Sequence, residues 1–539
     1  MTELGQAAEA WLADDPDEGD RAELRAVLDG LPGTAADLAD RFAGPLTFGT
    51  AGLRGPLRAG PNGMNRAVVR AAAAGLVHWL ASAGAEGPVV IGYDARHRSR
   101  EFAEETARVA TGAGRPALVL PRPLPTPVLA FAVRRLGAVA GVMVTASHNP
   151  PQDNGYKVYL GAALGGDVGA GAQIVPPVDA RIEAAIRAVS LRSVELGPPG
   201  EVLSDDLVES YVDSVAGVVD RETYRDLAVA YTPLHGVAGS VLRAALVAAG
   251  FDPPSIVDSQ AEPDPDFPTV AFPNPEEPGA LDRAIALADS AHADLVIAND
   301  PDGDRCAVAV PVAGGWRRLH GDEVGVLLAD HLMRRGKPGR YATTIVSSSL
   351  LRALCAARGR PYGETLTGFK WIVRAGADLA YGYEEALGYC CVPDLVRDKD
   401  GITAALLVCE LAAGLRAELR TLPDRLDELA AEFGVHATDQ LSVRVEDLRE
   451  IAAMMTRLRA RPPETLLDEK VTSVEDLLPA ADVVTLRTES ARVVVRPSGT
   501  EPKLKAYLEG IEPVADDGPA AREACRRTGG RPRRRARGR

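Results

Sequence analysis

From Leu46 onward, short apolar runs alternate with longer Ala-rich stretches of helical spacing, a pattern that predicts βαβ units around parallel sheets. Ahead of them, residues 1 to 44 read as helices, with Leu24, Val27 and Leu28 and then Leu38 and Phe42 at helical spacing, punctuated by Asp15-Pro16. Pro88-Val89-Val90-Ile91-Gly92 and Ala138 to Val144 are expected to be strands buried on both faces, with a helix over Val128 to Leu136 between them. The second run leads into Thr145-Ala146-Ser147-His148-Asn149-Pro150, which puts Ser147 just past the carboxyl end of a strand. In open α/β sheets that edge is where ligands bind. A Gly-rich passage from Gly161 to Gly171, a helix from Asp179 to Val189 and a linker at Gly197-Pro198-Pro199-Gly200 follow.

A second cycle runs from the strand Asp226 to Tyr231 through the helix Ser240 to Ala249 to the strand Ala293 to Asn299, which delivers Asp300 to its end. A third runs from Tyr341 to Ile345 through the helix Leu350 to Arg358 to Gly382-Tyr383-Glu384-Glu385 and the helix Gly401 to Leu415. Near the end, Leu504, Ala506 and Leu508 alternate with Lys505, Tyr507 and Glu509, as in a half-exposed antiparallel strand. The pattern therefore predicts an α/β protein: three related α/β modules with mixed sheets plus a C-terminal α+β domain. The expected segments are a helical extension over 1–44, domains over 45–200, 201–318, 319–430 and 431–514, and a basic tail over 515–539 expected to be disordered.

At 539 residues the chain is too long for one core, and its 46% hydrophobic and 25% charged residues are ordinary for a globular protein. A net charge of -15 argues against nucleic acid or a membrane as partner, so any phosphate site must be a local basic pocket. Met1 to Glu18 is acidic and lacks the features of a secretory signal, and the six cysteines show no paired spacing. A cytoplasmic protein with reduced, buried thiols is expected.

Asp300-Pro301-Asp302-Gly303-Asp304-Arg305 offers three carboxylates at alternate positions beside an arginine. An EF-hand is excluded, because the glycine comes at the fourth loop position and Pro311 stands where the last glutamate belongs. The three aspartates can converge on one Mg²⁺, with Arg305 clamping a phosphoryl group. Ser147 supplies a hydroxyl acceptor, with His148 and Lys157 close in sequence for proton and charge. Arg496-Pro497-Ser498-Gly499-Thr500 forms a cup for a phosphate dianion. Gly49 to Gly55 is a Gly-rich loop holding Arg54, and Glu384 and Glu385 suit sugar hydroxyls, with one of the two facing inward. Arg397-Asp398-Lys399-Asp400-Gly401 reads as a helix N-terminus holding a lysine between two acids, with a solvated charge cluster as the plain alternative. Lys370 is ambiguous between substrate contact and surface.

Taken together, Gly49 to Gly55, Thr145 to Pro150, Asp300 to Arg305 and Arg496 to Thr500 resemble, in order, the motifs of the α-D-phosphohexomutase superfamily, the phosphoglucomutases and phosphomannomutases. The resemblance implies a four-domain, heart-shaped α/β architecture and a mutase that moves phosphate between the 1- and 6-positions of a hexose, glucose first, through a phosphoserine and a sugar bisphosphate. By it, Ser147 carries the phosphoryl group and, with Asp300, Asp302 and Asp304, binds one Mg²⁺ per chain. It also implies that His148, Lys157, Arg305 and Lys399 act in catalysis, that Arg54, Thr367, Lys370, Glu384 and Glu385 meet the sugar phosphate, and that Arg496, Ser498, Gly499 and Thr500 hold the distal phosphate. The implied partners are hexose or pentose monophosphates, with a hexose bisphosphate as activator. One departure matters. Where many members read Glu-x-Ser-Gly-His, this chain has Glu385, Leu387, Gly388 and Tyr389, which is similar to the phosphoglucomutase-two and phosphopentomutase branch and leaves glucose, mannose and pentose open. A phosphatase using the same serine and a silent sugar-phosphate sensor are the alternatives of other classes.

Overall fold

The computed structural model describes residues 3–47, 52–445, 447–498 and 503–514. These fall into two compact units, one of residues 1–319 and 388–413 and one of 320–387 and 414–539. The basic tail and residues 48–51 of the first Gly-rich loop lie outside the described residues.

The first unit opens with helices α1 (Glu3–Asp14), α2 (Glu18–Asp29) and α3 (Ala35–Arg41). Asp17 caps α2 by accepting from the backbone N–H of Asp20, and Ala8, Leu12, Leu24, Val27 and Leu38 bury a small core of their own. The first sheet is built around β2 (Val89–Tyr93), β3 (Ala117–Val119) and β4 (Ala140–Val144), all parallel, with β2 central. Every residue of β2 and β4 is buried, as expected for strands covered on both faces. Helix α4 (Arg66–Ser82) begins at Asn65, whose side chain accepts from Val68 N–H, while α5 (Ser99–Gly112) and α6 (Thr126–Arg135) are the crossovers on either side of β3.

Beyond β4 the sequence reading has no strand where the structure has a long one. Residues Asp153–Leu160 form β5, antiparallel to β4, with Met143 opposite Lys157, so Ser147 sits in a β-hairpin loop rather than a βα turn. A short edge strand, β1 (Leu53–Pro56), pairs antiparallel with β5 and sets Arg54 opposite Gly155. Gly52, at φ +82°, has no room for a Cβ because the carbonyl of Tyr156 occupies that space. The Gly161–Gly171 passage is also more ordered than its glycines suggest, containing the helix Ala162–Gly169, bent at Gly166.

The second module pairs Val229–Thr232 and Leu295–Ala298 in parallel, and the latter feeds the aspartate loop. An antiparallel hairpin, Ala307–Val312 with Gly315–Arg318, completes that sheet's edge. In the second unit, Arg340–Thr344 lies between Tyr362–Thr365 and Leu379–Glu384, all parallel. The C-terminal sheet is antiparallel throughout, in the order Val435–Arg444, Lys503–Glu512, Ala491–Pro497, Val484–Arg487 and Ser473–Asp476. The five cysteines among the described residues are buried and unbridged, and no described helix is long and apolar enough to cross a membrane.

Candidate active site

The two segments that the sequence singles out meet inside the first unit. Ser147 Oγ donates to Asp300 Oδ2 at 2.9 Å and lies 3.2 Å from His148 Nδ1. Ser147 has φ +53°, a left-handed conformation that costs a non-glycine residue about 1–3 kcal/mol and persists only where its surroundings enforce it. Its N–H donates to Thr145 Oγ1 at 2.8 Å, which fixes one end of the turn.

Asp300, Asp302 and Asp304 are fully buried, with one carboxylate oxygen from each within 4.8 Å of the others. Gly303, at φ +68°, makes the bend that turns the three side chains together. Asp302 Oδ2 accepts from Thr126 Oγ1 at 2.6 Å and from Lys157 Nζ at 2.7 Å. Asp304 Oδ2 lies 3.2 Å from both Lys157 Nζ and Lys399 Nζ. Asp300 Oδ1 accepts from the backbone N–H of Arg305 at 3.1 Å. The Oδ1 atoms of Asp302 and Asp304, by contrast, are buried with no hydrogen-bond partner among the described residues. Buried carboxylate oxygens rarely stay unmatched, and two of them beside a third carboxylate fit the oxygen donor set of a hard divalent cation.

The electrostatics follow from burial. Burial and the two neighbouring carboxylates push Asp300 well above the usual carboxylate range, while Lys157, outweighing burial, holds Asp302 below it. Burial disfavours charge on Lys157, but Asp302 and Asp304 overcome this and raise it. Burial, then Arg305 and Arg54, push His148 well below its ordinary value, so its ring is neutral at neutral pH. Arg54 is also in this cluster, donating to Asn149 Oδ1 at 3.0 Å. Arg305 Nε stands 3.8 Å from Asp304 Oδ1 and 3.9 Å from Asp300 Oδ2.

The Arg397–Gly401 segment is no solvated charge cluster. Asp398 is buried and accepts from Tyr159 OH and Gln173 Nε2, each at 2.8 Å, and from the N–H of Lys399. Asp400 caps the helix Gly401–Ala417, accepting from the N–H groups of Ile402 and Thr403 at 3.0 Å, and also takes the Tyr211 hydroxyl. This cap and these buried acceptors aim Lys399 at Asp304. Thr126, Tyr159 and Arg96 are contributors that the sequence reading missed. Arg96 had a legible signal, since Asp94-x-Arg96 follows the buried strand β2 just as Ser147 follows β4.

The remaining candidates lie in the second unit. Glu385 Oε2 accepts from Ser347 Oγ at 2.9 Å and Thr344 Oγ1 at 3.3 Å, while Glu384 ends the strand Leu379–Glu384. Leu387 is buried at φ +61°. Thr367 precedes the short helix Phe369–Ile372, on which Lys370 is buried with its Nζ 5.7 Å from the Trp371 ring centroid. Arg496 lies on the strand Ala491–Pro497 opposite Lys505, and Ser498 N–H donates to Lys503 O at 2.8 Å. Gly499 and Thr500 lie outside the described residues.

Comparison with known proteins agrees along the chain. The phosphoglucomutase/phosphomannomutase family models match in sequence order: α/β/α domain I at 45–193, domain II at 209–314, domain III at 320–433 and the C-terminal domain at 441–522. A Haemophilus influenzae protein named a probable phosphomannomutase is 46% identical over 457 residues, covering 83% of this chain and 93% of its own. A probable phosphoribomutase of Schizosaccharomyces pombe is 34% identical over 94% of this chain and 93% of its own. Among solved structures, a Thermus thermophilus protein provisionally assigned as a phosphomannomutase superposes with a TM-score of 0.71 at 28% identity, covering 87% of this chain and 96% of that one. With its four domains matched in order, this chain belongs to the phosphoglucomutase/phosphomannomutase family and is an enzyme of the phosphohexomutase type.

Proposed function

We propose that the enzyme interconverts the 1-phosphate and 6-phosphate of a hexose, with glucose as the leading substrate, through phospho-Ser147 and a sugar bisphosphate. The observation that carries this reading is the 2.9 Å approach of Ser147 Oγ to a buried aspartate trio in which two oxygens accept no hydrogen bond from the described residues. In the first half-reaction the Oγ–P bond of phospho-Ser147 breaks as a P–O bond forms to a sugar hydroxyl, and the proton that hydroxyl gives up is balanced by the one Ser147 Oγ takes up. The second half returns the other phosphate to Ser147 Oγ.

Asp300, Asp302 and Asp304 would hold Mg²⁺, which when bound supplies Lewis-acid polarisation of a phosphate oxygen. Phosphoryl transfer asks the protein chiefly for position and charge neutralisation. Lys157, held charged by two aspartates, serves as a fixed cation, and Lys399, Arg305 and Arg54 add positive charge beside it. His148, neutral and 3.2 Å from Oγ, is suited to take and return the serine proton. Glu385, together with Glu384, Thr367 and Lys370, would meet the sugar, and Arg496 and Ser498 the distal phosphate. Buried free thiols suit a reducing, cytoplasmic setting.

A second reading is favoured by one specific observation: the relative with 46% identity is named a probable phosphomannomutase, which makes mannose the principal competitor. The pentose reading draws on the fission-yeast relative named a probable phosphoribomutase. A coupled assay on glucose 1-phosphate, mannose 1-phosphate and ribose 1-phosphate, with Mg²⁺ and a catalytic bisphosphate, tests all three. One sugar is expected to give the highest kcat/KM, and inactivity on every one rejects the mutase reading.

A further inference from the structure

Three consecutive basic residues, Arg96-His97-Arg98, lie between β2 and α5, and each reaches a different part of the first unit. Arg98, at φ +63°, pairs with Asp20 at 2.6 Å and Asp17 at 3.1 Å in the N-terminal helices. His97 Nε2 lies 2.7 Å from Asp266 Oδ1 in the second module. Arg96 turns inward, with its side chain almost wholly buried, and its guanidinium gathers four carbonyls of the Ser147 loop. Nη2 donates to Ser147 O at 2.6 Å and Asn149 O at 2.5 Å, and Nη1 donates to Pro150 O at 2.8 Å and Asp153 O at 3.2 Å. Its Nε stands 3.5 Å from Asp94 Oδ2, and its carbon lies 5.0 Å from the centroid of the Phe267 ring in the second module.

We propose that Arg96 is a positioning residue: it holds the Ser147 turn in the left-handed geometry from which phosphoryl transfer occurs. A non-glycine residue does not rest at positive φ unless neighbouring structure enforces it. The loop's own restraint includes the Thr145 hydroxyl, an Asn149 N–H to Ala146 O turn bond and an Asp153 N–H to Pro150 O bond, but four of its carbonyls accept from this one cation. Only a planar fork with several fixed donors can serve four acceptors at once, so lysine is no substitute. The turn that presents Arg96 is braced in turn: Ser99 Oγ donates to Asp94 Oδ1 at 2.6 Å, and Asn154 Nδ2 donates to His97 O at 2.9 Å. The cation therefore ties the phosphoserine loop to Phe267, while its neighbours tie the same turn to the N-terminal helices.

The kinetic arm of the test rests on the mutase reading, whereas the structural arm does not. Hydrogen exchange followed by mass spectrometry compares the full-length wild type with Arg96→Lys and Arg96→Ala, and steady-state kinetics use whichever of the three monophosphates the wild type turns over. Faster exchange confined to residues 145–154 is expected, with kcat lowered about 10²-fold and KM changed by less than about threefold. Added guanidinium ion is expected to restore part of the Arg96→Ala activity, entering by a cavity of about 340 Å³ lined by Tyr93, Asp94, Arg96 and Arg122. Unchanged exchange over 145–154 in Arg96→Lys overturns the proposal, as does faster exchange spread equally over β2 and β4. A KM that rises in step with the fall in kcat/KM, with kcat preserved, also overturns it. If Arg96→Ala does not fold, Arg96→Lys decides alone. If the wild type turns over none of the sugars, the mutase reading falls while the exchange result still judges Arg96.

Discussion

Two polar clusters, one around Ser147 and one around Glu385, both sit at the carboxyl ends of parallel strands, yet they are held by different forces. Around Ser147, three fully buried aspartates are rigidly placed, Asp302 and Asp304 by Lys157, Lys399 and Thr126 and Asp300 by the Ser147 hydroxyl and the Arg305 N–H. Around Glu385, the restraint includes two neutral hydroxyls, Thr344 and Ser347, and Ser347 in turn gives its carbonyl to Arg492. Arg492 pairs with Glu509 at 2.8 Å, and Glu509 also accepts from the Ser348 hydroxyl at 2.9 Å and the Ser349 N–H at 2.7 Å. Charge placed in low dielectric is strong and unforgiving, which suits the reacting centre. Hydroxyl contacts are weaker and more adaptable, which suits the proposed sugar site.

The contrast breaks most sharply at the nucleophile. Ser147→Ala is expected to lower kcat by more than about 10³-fold while substrate affinity, measured by calorimetry, stays within a few-fold of wild type. Retained turnover would show that chemistry runs elsewhere. Next in size is Glu509→Gln. Burial opposes charge on Glu509, but His436, Arg492 and backbone donors outweigh it and hold the carboxyl down at about 2. Because its folded pKa is depressed, the stability it supplies is present above the unfolded value near 4.5 and is lost as pH falls towards 2. That contribution is about 3 kcal/mol, so the variant is expected to unfold in denaturant at markedly lower concentration at pH 7, with the gap closing in acid.

A smaller effect separates charge from hydroxyl restraint directly. In chelator, Asp300→Asn is expected to melt about 3 °C above wild type, because it replaces the carboxyl whose ionisation burial and the two neighbouring carboxylates oppose. Added Mg²⁺ should then raise the wild type and leave the variant nearly unmoved, whereas an equal response in both would place the cation elsewhere. The smallest expected effect belongs to Ser347→Ala, which loosens Glu385: KM should rise about fivefold, roughly 1 kcal/mol, with kcat within about twofold. A fall in kcat comparable to that of Ser147→Ala would erase the distinction between the two clusters.

Much of the first cluster was legible because buried strands and short polar loops have unmistakable patterns. The runs ending at Val144 and Asn299 read as strands whose ends present Ser147 and Asp300, and the structure brings those two residues to 2.9 Å. The strand Asp153–Leu160 was not legible. Its polar start, Asp153-Asn154-Gly155, resembles a loop, and only pairing with β4 makes it a strand. Arg397 to Asp400 could equally be a solvated cluster by composition, and burial against Tyr159, Gln173 and Tyr211 decided otherwise. Arg96 was passed over because an arginine near a strand end is common, and the four carbonyls that define its role come from a segment some fifty residues away.

The sequence by itself determined the order of modules, the residue types at each strand end and the family, because periodicity and short motifs are local properties of the chain. Tertiary structure alone decided which oxygens of the aspartates accept hydrogen bonds from the described residues and which do not, why Lys157 stays charged though buried, and what keeps Ser147 at positive φ. Those outcomes depend on distances and dielectric between residues far apart in sequence, and no local pattern encodes them.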